Sequence, residues 1–261
     1  MSELFIVDAH AHTGYPAVFF SPEVDAKSLL RRMDRLLIRY TINLCSMRSM
    51  LGPLLGELEA AQREHEESGG RIFYCAYCDP RRTKEDLGVM GKAARWSGFK
   101  GIKIHPSFAK IPADDDRYAA VWEFAADHGL PIVAHTWSVS SYNPVQVLST
   151  PEKFERFIRK YPGVKFVLGH SGGRGEGRRE ALRMACEHEN VYMDTSGDVS
   201  DRHRFVAAEA AKVAHKVLFG SDYPWIDHRS HLAAVYLADI TTDSKRKILR
   251  DTALAVYRLE G

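Results

Sequence analysis

Short β-branched runs recur along the chain with room for a helix between them, and this alternation constrains the fold more than any other feature. The runs are Leu4–Ala9, Thr41–Ser46, Arg71–Tyr77, Phe99–His105, Pro131–Thr136, Val164–His170, Val191–Thr195 and Lys216–Gly220. Between them, Leu54–Glu67 carries Leu54, Leu55, Leu58 and Ala61 at helical spacing. Arg117–His128 stops at Gly129 ahead of Pro131. Pro151–Lys160 opens with Ser149-Thr150-Pro151, a cap followed by proline in the first turn. Asp243–Leu259 closes the chain as a helix. Strands alternating with helices imply parallel βαβ units. An open doubly wound sheet and a closed barrel both satisfy the pattern. Eight runs in 261 residues favour the α/β fold of the (β/α)8 TIM-barrel kind. No linker-like segment divides the chain, so a single domain over residues 1–261 is expected.

Composition narrows the partners. The chain is 45% hydrophobic and 27% charged, which suits a globular protein with a sizeable core. Lys plus Arg is 36 and Asp plus Glu 34, so no global field attracts nucleic acid or an acidic membrane. Apolar stretches break well before the ~20 residues a bilayer requires. Met1-Ser2-Glu3 runs straight into Leu4-Phe5-Ile6-Val7, which is no secretory signal. Cysteines at 45, 75, 78 and 186 make no disulfide framework. Cys75 and Cys78 on one strand would face opposite sides, which disfavours a shared ion. The expectation is a soluble cytoplasmic protein with a small-molecule partner, no nucleic acid and no membrane.

Five of the 12 histidines fall at the C-terminal ends of expected strands: His10, His12, His105, His135 and His170. In a barrel that end is the active-site face. His10-Ala11-His12 places two imidazoles on one side of a strand, converging on the barrel mouth. HxH alone is a weak signal for metal, and hydrogen-bonded polar residues would read the same way. His135 and His170 end apolar strands, however, and Asp222 ends the last one. Several imidazoles and a carboxylate at one end call for a shared compensating centre, and a divalent cation is the simplest. Lys103 and His105 share a face of their strand and are expected to contact substrate. Trp137, Tyr223 and Trp225 follow ligand-bearing strands, as pocket walls or as packing. Arg174, in Gly172-Gly173-Arg174-Gly175-Glu176-Gly177, is either a carboxylate grip or a solvated loop residue. Asp194 and Ser196 share one side of a strand but are not expected to be catalytic.

The order of HxH, strand-4 lysine, strand-5 and strand-6 histidines and strand-8 aspartate resembles the amidohydrolase superfamily. Gly98–Pro106, Leu130–His135, Gly169–Gly173 and Leu218–Trp225 resemble its amidohydrolase-2 group, which includes aminocarboxymuconate-semialdehyde decarboxylase-like enzymes. One departure is Asp251-Thr252, where that group carries Gly-Asn. The resemblance implies His10, His12, His135 and Asp222 as ligands of one divalent ion, Zn²⁺ first and Mn²⁺ second. It also implies Asp222 as a proton acceptor and His170 as general acid/base, the alternative for His170 being an orienting role. A carbamylated Lys103 bridging two ions is the binuclear alternative. The leading functional expectation is a metal-dependent hydrolase of an amide, ester or lactone, with non-oxidative decarboxylation of an unsaturated or aromatic acid beside it. Purine-type deamination fits less well, because Thr136, Trp137 and Ser138 follow His135 where that class has a glutamate. Exposed barrel helices make a homo-oligomer an expectation by analogy.

Overall fold

The computed structural model describes residues 5–14, 24–44, 52–199 and 203–261. Strands and helices alternate as follows: β1 Ile6–Ala11, α1 Ala26–Arg35, β2 Ile38–Asn43, α2 Leu54–Glu67, β3 Ile72–Tyr77, α3 Thr83–Ala93, β4 Phe99–Ile104, α4 Pro106–Ala109, α5 Ala119–His128, β5 Ile132–His135, α6 Glu155–Lys160, β6 Phe166–Gly169, α7 Gly175–Glu187, β7 Val191–Asp194, α8 His203–Ala210, β8 Val217–Leu218, α9 His228–Tyr236, α10 Thr242–Arg246 and α11 Thr252–Tyr257. The eight strands form one sheet in sequence order, and every neighbouring pair is parallel. The seam between the last and first strands closes through the backbone beyond β8. Ala9 N–H donates to Phe219 O at 2.7 Å, Asp222 N–H to His10 O at 2.8 Å and His12 N–H to Tyr223 O at 2.7 Å. This is the (β/α)8 barrel that the alternation implies.

Two apolar layers hold it. Outside the sheet, Ile6, Ala11, Leu29, Met33, Trp122, Phe157 and Phe166 belong to the layer between strands and helices. Inside, Val7, Ile42, Cys75, Val133, Val167 and Leu218 fill the barrel, and Val256 and Tyr257 of α11 close its lower end. β1 carries a bulge that decides what faces the mouth. Asp8 pairs with Thr41 and Ala11 with Asn43, so β1 has one residue more than β2 over this stretch. Strict alternation from the inward Val7 would turn Ala11 inward. Instead Ala11 packs in the outer layer, and the imidazoles on either side of it enter the barrel.

Several boundaries differ from the sequence reading. β2 begins at Ile38, three residues before the expected Thr41. Arg39 masks that start, because its guanidinium lies 4.9 Å over the Phe5 ring instead of in open water. Leu4, Cys45 and Ser46 fall outside the described residues. Residues 247–251 form a π-helical segment that joins α10 to α11 without a break, so the expected closing helix is present over residues 242–257 with a widened turn at its centre. That turn is used: Phe219 N–H donates to Ile248 O at 2.8 Å. Half of the glycine-rich run after β6 is the first turn of α7. Among the described residues no helix is long and apolar enough to cross a membrane.

Candidate metal centre and active site

β1 delivers His10 and His12, and the turn after β8 delivers Asp222. Asp222 Oδ1 lies 3.4 Å from His12 Nε2 and 3.6 Å from His10 Nε2. All three residues are buried, and their donor atoms lie within 4.8 Å of one another. Asp222 sits at φ +62°, left-handed backbone that costs a non-glycine residue about 1 kcal/mol or more.

His10 Nδ1 points the other way, 2.6 Å from Asp194 Oδ2. A carboxylate only accepts, so the His10 proton sits on Nδ1 and Nε2 carries a lone pair. Among the described residues, neither Nε2 of His10 nor Oδ1 of Asp222, both buried, has a hydrogen-bond partner. Two acceptor atoms facing each other in a dry site are repulsive unless a cation lies between them. The donor set of two imidazoles and a carboxylate therefore fits a divalent ion.

His170 follows β6 at φ +66°. Its backbone N–H donates to Asp194 Oδ1 at 2.9 Å, which pins the unusual conformation. Its ring lies 4.8 Å from those of His10 and His135 and 5.6 Å from that of Trp137. Burial above all pulls the His170 imidazole down to about 3, helped by His10 and Lys103 and opposed by Asp222 and Asp194. Burial also lowers His10, and it lowers His105 and His135 strongly, with Lys103 adding to each. Burial alone would raise Asp194 and Asp222. The surrounding histidines outweigh it and hold both carboxyls far below the usual range.

His135 is not in the tight trio. Its Nε2 lies 3.1 Å from Gln146 Oε1, and its ring stacks on His105 at 3.9 Å. Lys103 is buried and acts on the whole histidine group from β4. Trp225 lies 4.5 Å from His12 and joins Tyr77 and Phe108 in a small aromatic cluster. Trp137 is clasped between glycines: a Cβ on Gly173 or Gly197 would come within 2.7 or 2.8 Å of its ring. Arg174 is engaged internally, its Nε donating to Asp198 Oδ2 at 2.9 Å. Asp194 and Ser196 prove to be central, although no spacing motif marks them. Gly220 explains the convergence. It stands between β7 and β1, and a Cβ there would come within 2.7 Å of His10 Cβ and 3.5 Å of Ser196 Cβ. Without a side chain at 220, His10 reaches across to β7.

Asp8 ties the seam from behind. Its Oδ1 accepts from the N–H groups of His10 at 3.1 Å and Ser221 at 3.0 Å. Its Oδ2 accepts from Ser221 Oγ at 2.6 Å and lies 3.1 Å from His228 Nε2 of α9.

Comparison with known proteins follows the same lines. No curated protein matches the sequence. The fold is similar to 2,6-dihydroxybenzoate decarboxylase from Rhizobium, with TM-score 0.79 and 15% identity over 99% of this chain and 100% of the other. It is similar to 5-carboxyvanillate decarboxylase from Sphingomonas paucimobilis, with TM-score 0.75 and 13% identity over 99% and 100%. A dihydroxybenzoic acid decarboxylase from Polaromonas, solved with manganese and 2-nitroresorcinol, gives TM-score 0.74 and 15% identity over 98% and 97%. Residues 61–259 match the amidohydrolase family model, and this span is most of the chain. The chain belongs to the amidohydrolase-2 family and is a metal-dependent enzyme of that kind.

Proposed function

We propose that the protein is a divalent-metal-dependent, non-oxidative decarboxylase of an aromatic carboxylic acid. The observation that carries this reading is the make-up of the mouth. Trp137 lies 5.6 Å from the His170 ring and Trp225 4.5 Å from the His12 ring, and Lys103 is buried beside the same histidine group. Indole rings at the site suit stacking with an aromatic substrate, and an ammonium suits the carboxylate it carries. The whole-length likeness to benzoate-type decarboxylases supports the same choice over hydrolysis of an amide, ester or lactone.

His10, His12 and Asp222 would hold the ion, with His135 the fourth donor of the expected set. Zn²⁺ is the expected ion, and the manganese in the Polaromonas enzyme supports Mn²⁺ as the alternative. When bound, the ion supplies positive charge for the oxygen anions of substrate and transition state. The rest falls to the chain's own residues. Lys103 and His105 orient the carboxylate, and Trp137 holds the ring and keeps water out. His170 Nε2 takes a proton from solvent and passes it to the ring carbon. As the carbon–carbon bond breaks, its electron pair stays on that carbon, which accepts the proton while carbon dioxide leaves. Arg174, held by Asp198, would bind substrate only by exchanging that partner.

The test is to load the protein separately with Zn²⁺ and Mn²⁺ and offer 2,6-dihydroxybenzoate, 5-carboxyvanillate and a set of aryl lactones in D₂O. Metal-dependent carbon dioxide release, with one deuterium on the product ring, is expected. Lactone opening without carbon dioxide release would overturn the proposal in favour of hydrolysis.

A further inference from the structure

The hydroxyl of Ser196 lies between two imidazoles and a carboxylate. Its Oγ is 2.5 Å from Asp194 Oδ1, 2.8 Å from His170 Nδ1 and 2.9 Å from His10 Nδ1. Ser196 is fully buried and Asp194 nearly so, so water does not rearrange these bonds. Asp194 also accepts from the N–H groups of His170 at 2.9 Å and Ser196 at 3.0 Å.

The protons in this group can be counted. Asp194 accepts only, and Ser196 has one proton to give. The short contact to Asp194 Oδ1 takes that proton. His10 Nδ1–H goes to Asp194 Oδ2, its shorter contact at 2.6 Å. The oxygen of Ser196 is then left to accept, and the atom facing it is His170 Nδ1. That nitrogen must therefore carry a proton, which puts the lone pair of neutral His170 on Nε2. The alternative tautomer would set a Nδ1 lone pair against the Ser196 oxygen in a dry site, an acceptor facing an acceptor. Gly197 adds a steric limit, since a Cβ there would come within 2.9 Å of His170 Nδ1.

We propose that Ser196 is a positioning residue that locks His170 in the Nδ1–H tautomer, with Asp194 as the shared anchor that imposes the same tautomer on His10. One carboxylate thereby aims two nitrogens: His10 Nε2 toward the ion's donors and His170 Nε2 toward substrate. The lock also serves the protonated form, because Nδ1–H donates to Ser196 whether or not Nε2 carries a proton. His170 can then take up and release a proton at Nε2 without turning its ring. Ser196 touches neither substrate nor ion and acts only through the two imidazoles. The inference rests on the reading of His170 as the proton carrier, but not on which substrate the site takes.

The experiment uses full-length, zinc-loaded protein labelled with ¹⁵N-histidine, assigned with a His170→Gln control. Wild-type His170 is expected to show a protonated Nδ1 and an unprotonated Nε2. Ser196→Ala should produce a mixture of tautomers at His170. It should lower kcat by about 10- to 100-fold on the decarboxylated substrate, with zinc content and KM within about twofold. Ser196→Thr, which restores the hydroxyl, should restore the wild-type spectrum and most of kcat. A wild-type His170 with its proton on Nε2 would overturn the proposal, and so would a Ser196→Ala spectrum identical to wild type. The wild-type spectrum needs no variant to fold. It also needs no substrate, so a protein that releases no carbon dioxide yet shows the Nδ1–H form refutes the decarboxylase reading and keeps this one.

Discussion

His10 uses its two nitrogens for different partners, and that division suits it to the ligand role proposed for it. Asp194 takes the proton on one edge, and the lone pair on the other edge meets the carboxylate of Asp222. Hydrogen bonding of the second nitrogen fixes tautomer and ring orientation together. His170 and Asp222 share another property, since both stand on left-handed backbone. Residues held in such conformations at about 1–3 kcal/mol each persist where surrounding bonds overdetermine them. Here those bonds come from Asp194 for one and from the β1 backbone for the other. His12→Ala and Asp222→Ala should each abolish activity and strip the ion, read as metal content after dialysis. His170→Ala should keep most of the metal and lower kcat by roughly 10²- to 10⁴-fold, the range of general acid–base catalysis. If His170→Ala instead removes half of two bound ions, the binuclear arrangement through Lys103 is correct.

At the level of elements, the seam between β1 and β8 is the vulnerable join. β8 has only two residues of regular strand, so Asp8 and the turn after β8 do what a longer ladder does elsewhere. Asp8→Ala would take an acceptor from the His10 and Ser221 N–H groups and the Ser221 hydroxyl, leaving Ser221 its weaker bonds to His10 O, and would remove the charge beside the His228 ring. A loss of about 3 kcal/mol or more in urea unfolding is expected, together with weaker metal binding measured by calorimetry. Asp8→Asn keeps one acceptor oxygen and should lose clearly less. A variant with Asp8→Ala and unchanged stability would show that the seam does not depend on this carboxylate. The elements themselves were largely legible, because an apolar run bounded by helix signals survives in almost any context. The site was legible where a strand simply ends in a chemical group, as with His12, His170 and Asp222. Asp194, Ser196 and Asp8 were not legible as a unit. Asp194 ends β7 and Ser196 follows it while Asp8 stands on β1, and only closure of the barrel and the missing side chain of Gly220 bring them together. His135 illustrates the reverse: its strand end was clear, but its partner Gln146 lies in a short 3₁₀ turn, Pro144–Leu148, that no periodicity marks.

For the whole molecule, concentrating neutral histidines in a dry barrel makes stability depend on pH. Burial is the leading cause that lowers His10, His105, His135 and His170. In the unfolded chain each takes up a proton near its ordinary 6.5, whereas folded His170 does so only at about 3. Between those values the unfolded state binds more protons, so stability must fall as pH falls. Each such histidine contributes up to about 1.4 kcal/mol per pH unit. The lowered carboxyls of Asp194 and Asp222 add the same sign of dependence only below their ordinary value of 3.8. Metal-free protein should therefore show a flat urea midpoint above about pH 7 and a steep decline toward about pH 5.5. A midpoint that stays level across that interval would mean the imidazoles are not held neutral. Saturation with the ion should steepen the decline, since protons then compete with it for the same nitrogens.

The extra residue in β1 has a further consequence. Straightening the bulge with every residue kept would let the strand run with unbroken pleating, one step out of register with β2 beyond Asp8. Both imidazoles would then turn into the greasy sleeve between sheet and helices, and Ala11 would take their place over the hollow. The scaffold could survive such a frame change while the protein lost its hold on any cation, so the difference between an enzyme and an inert barrel here amounts to a single residue of slack.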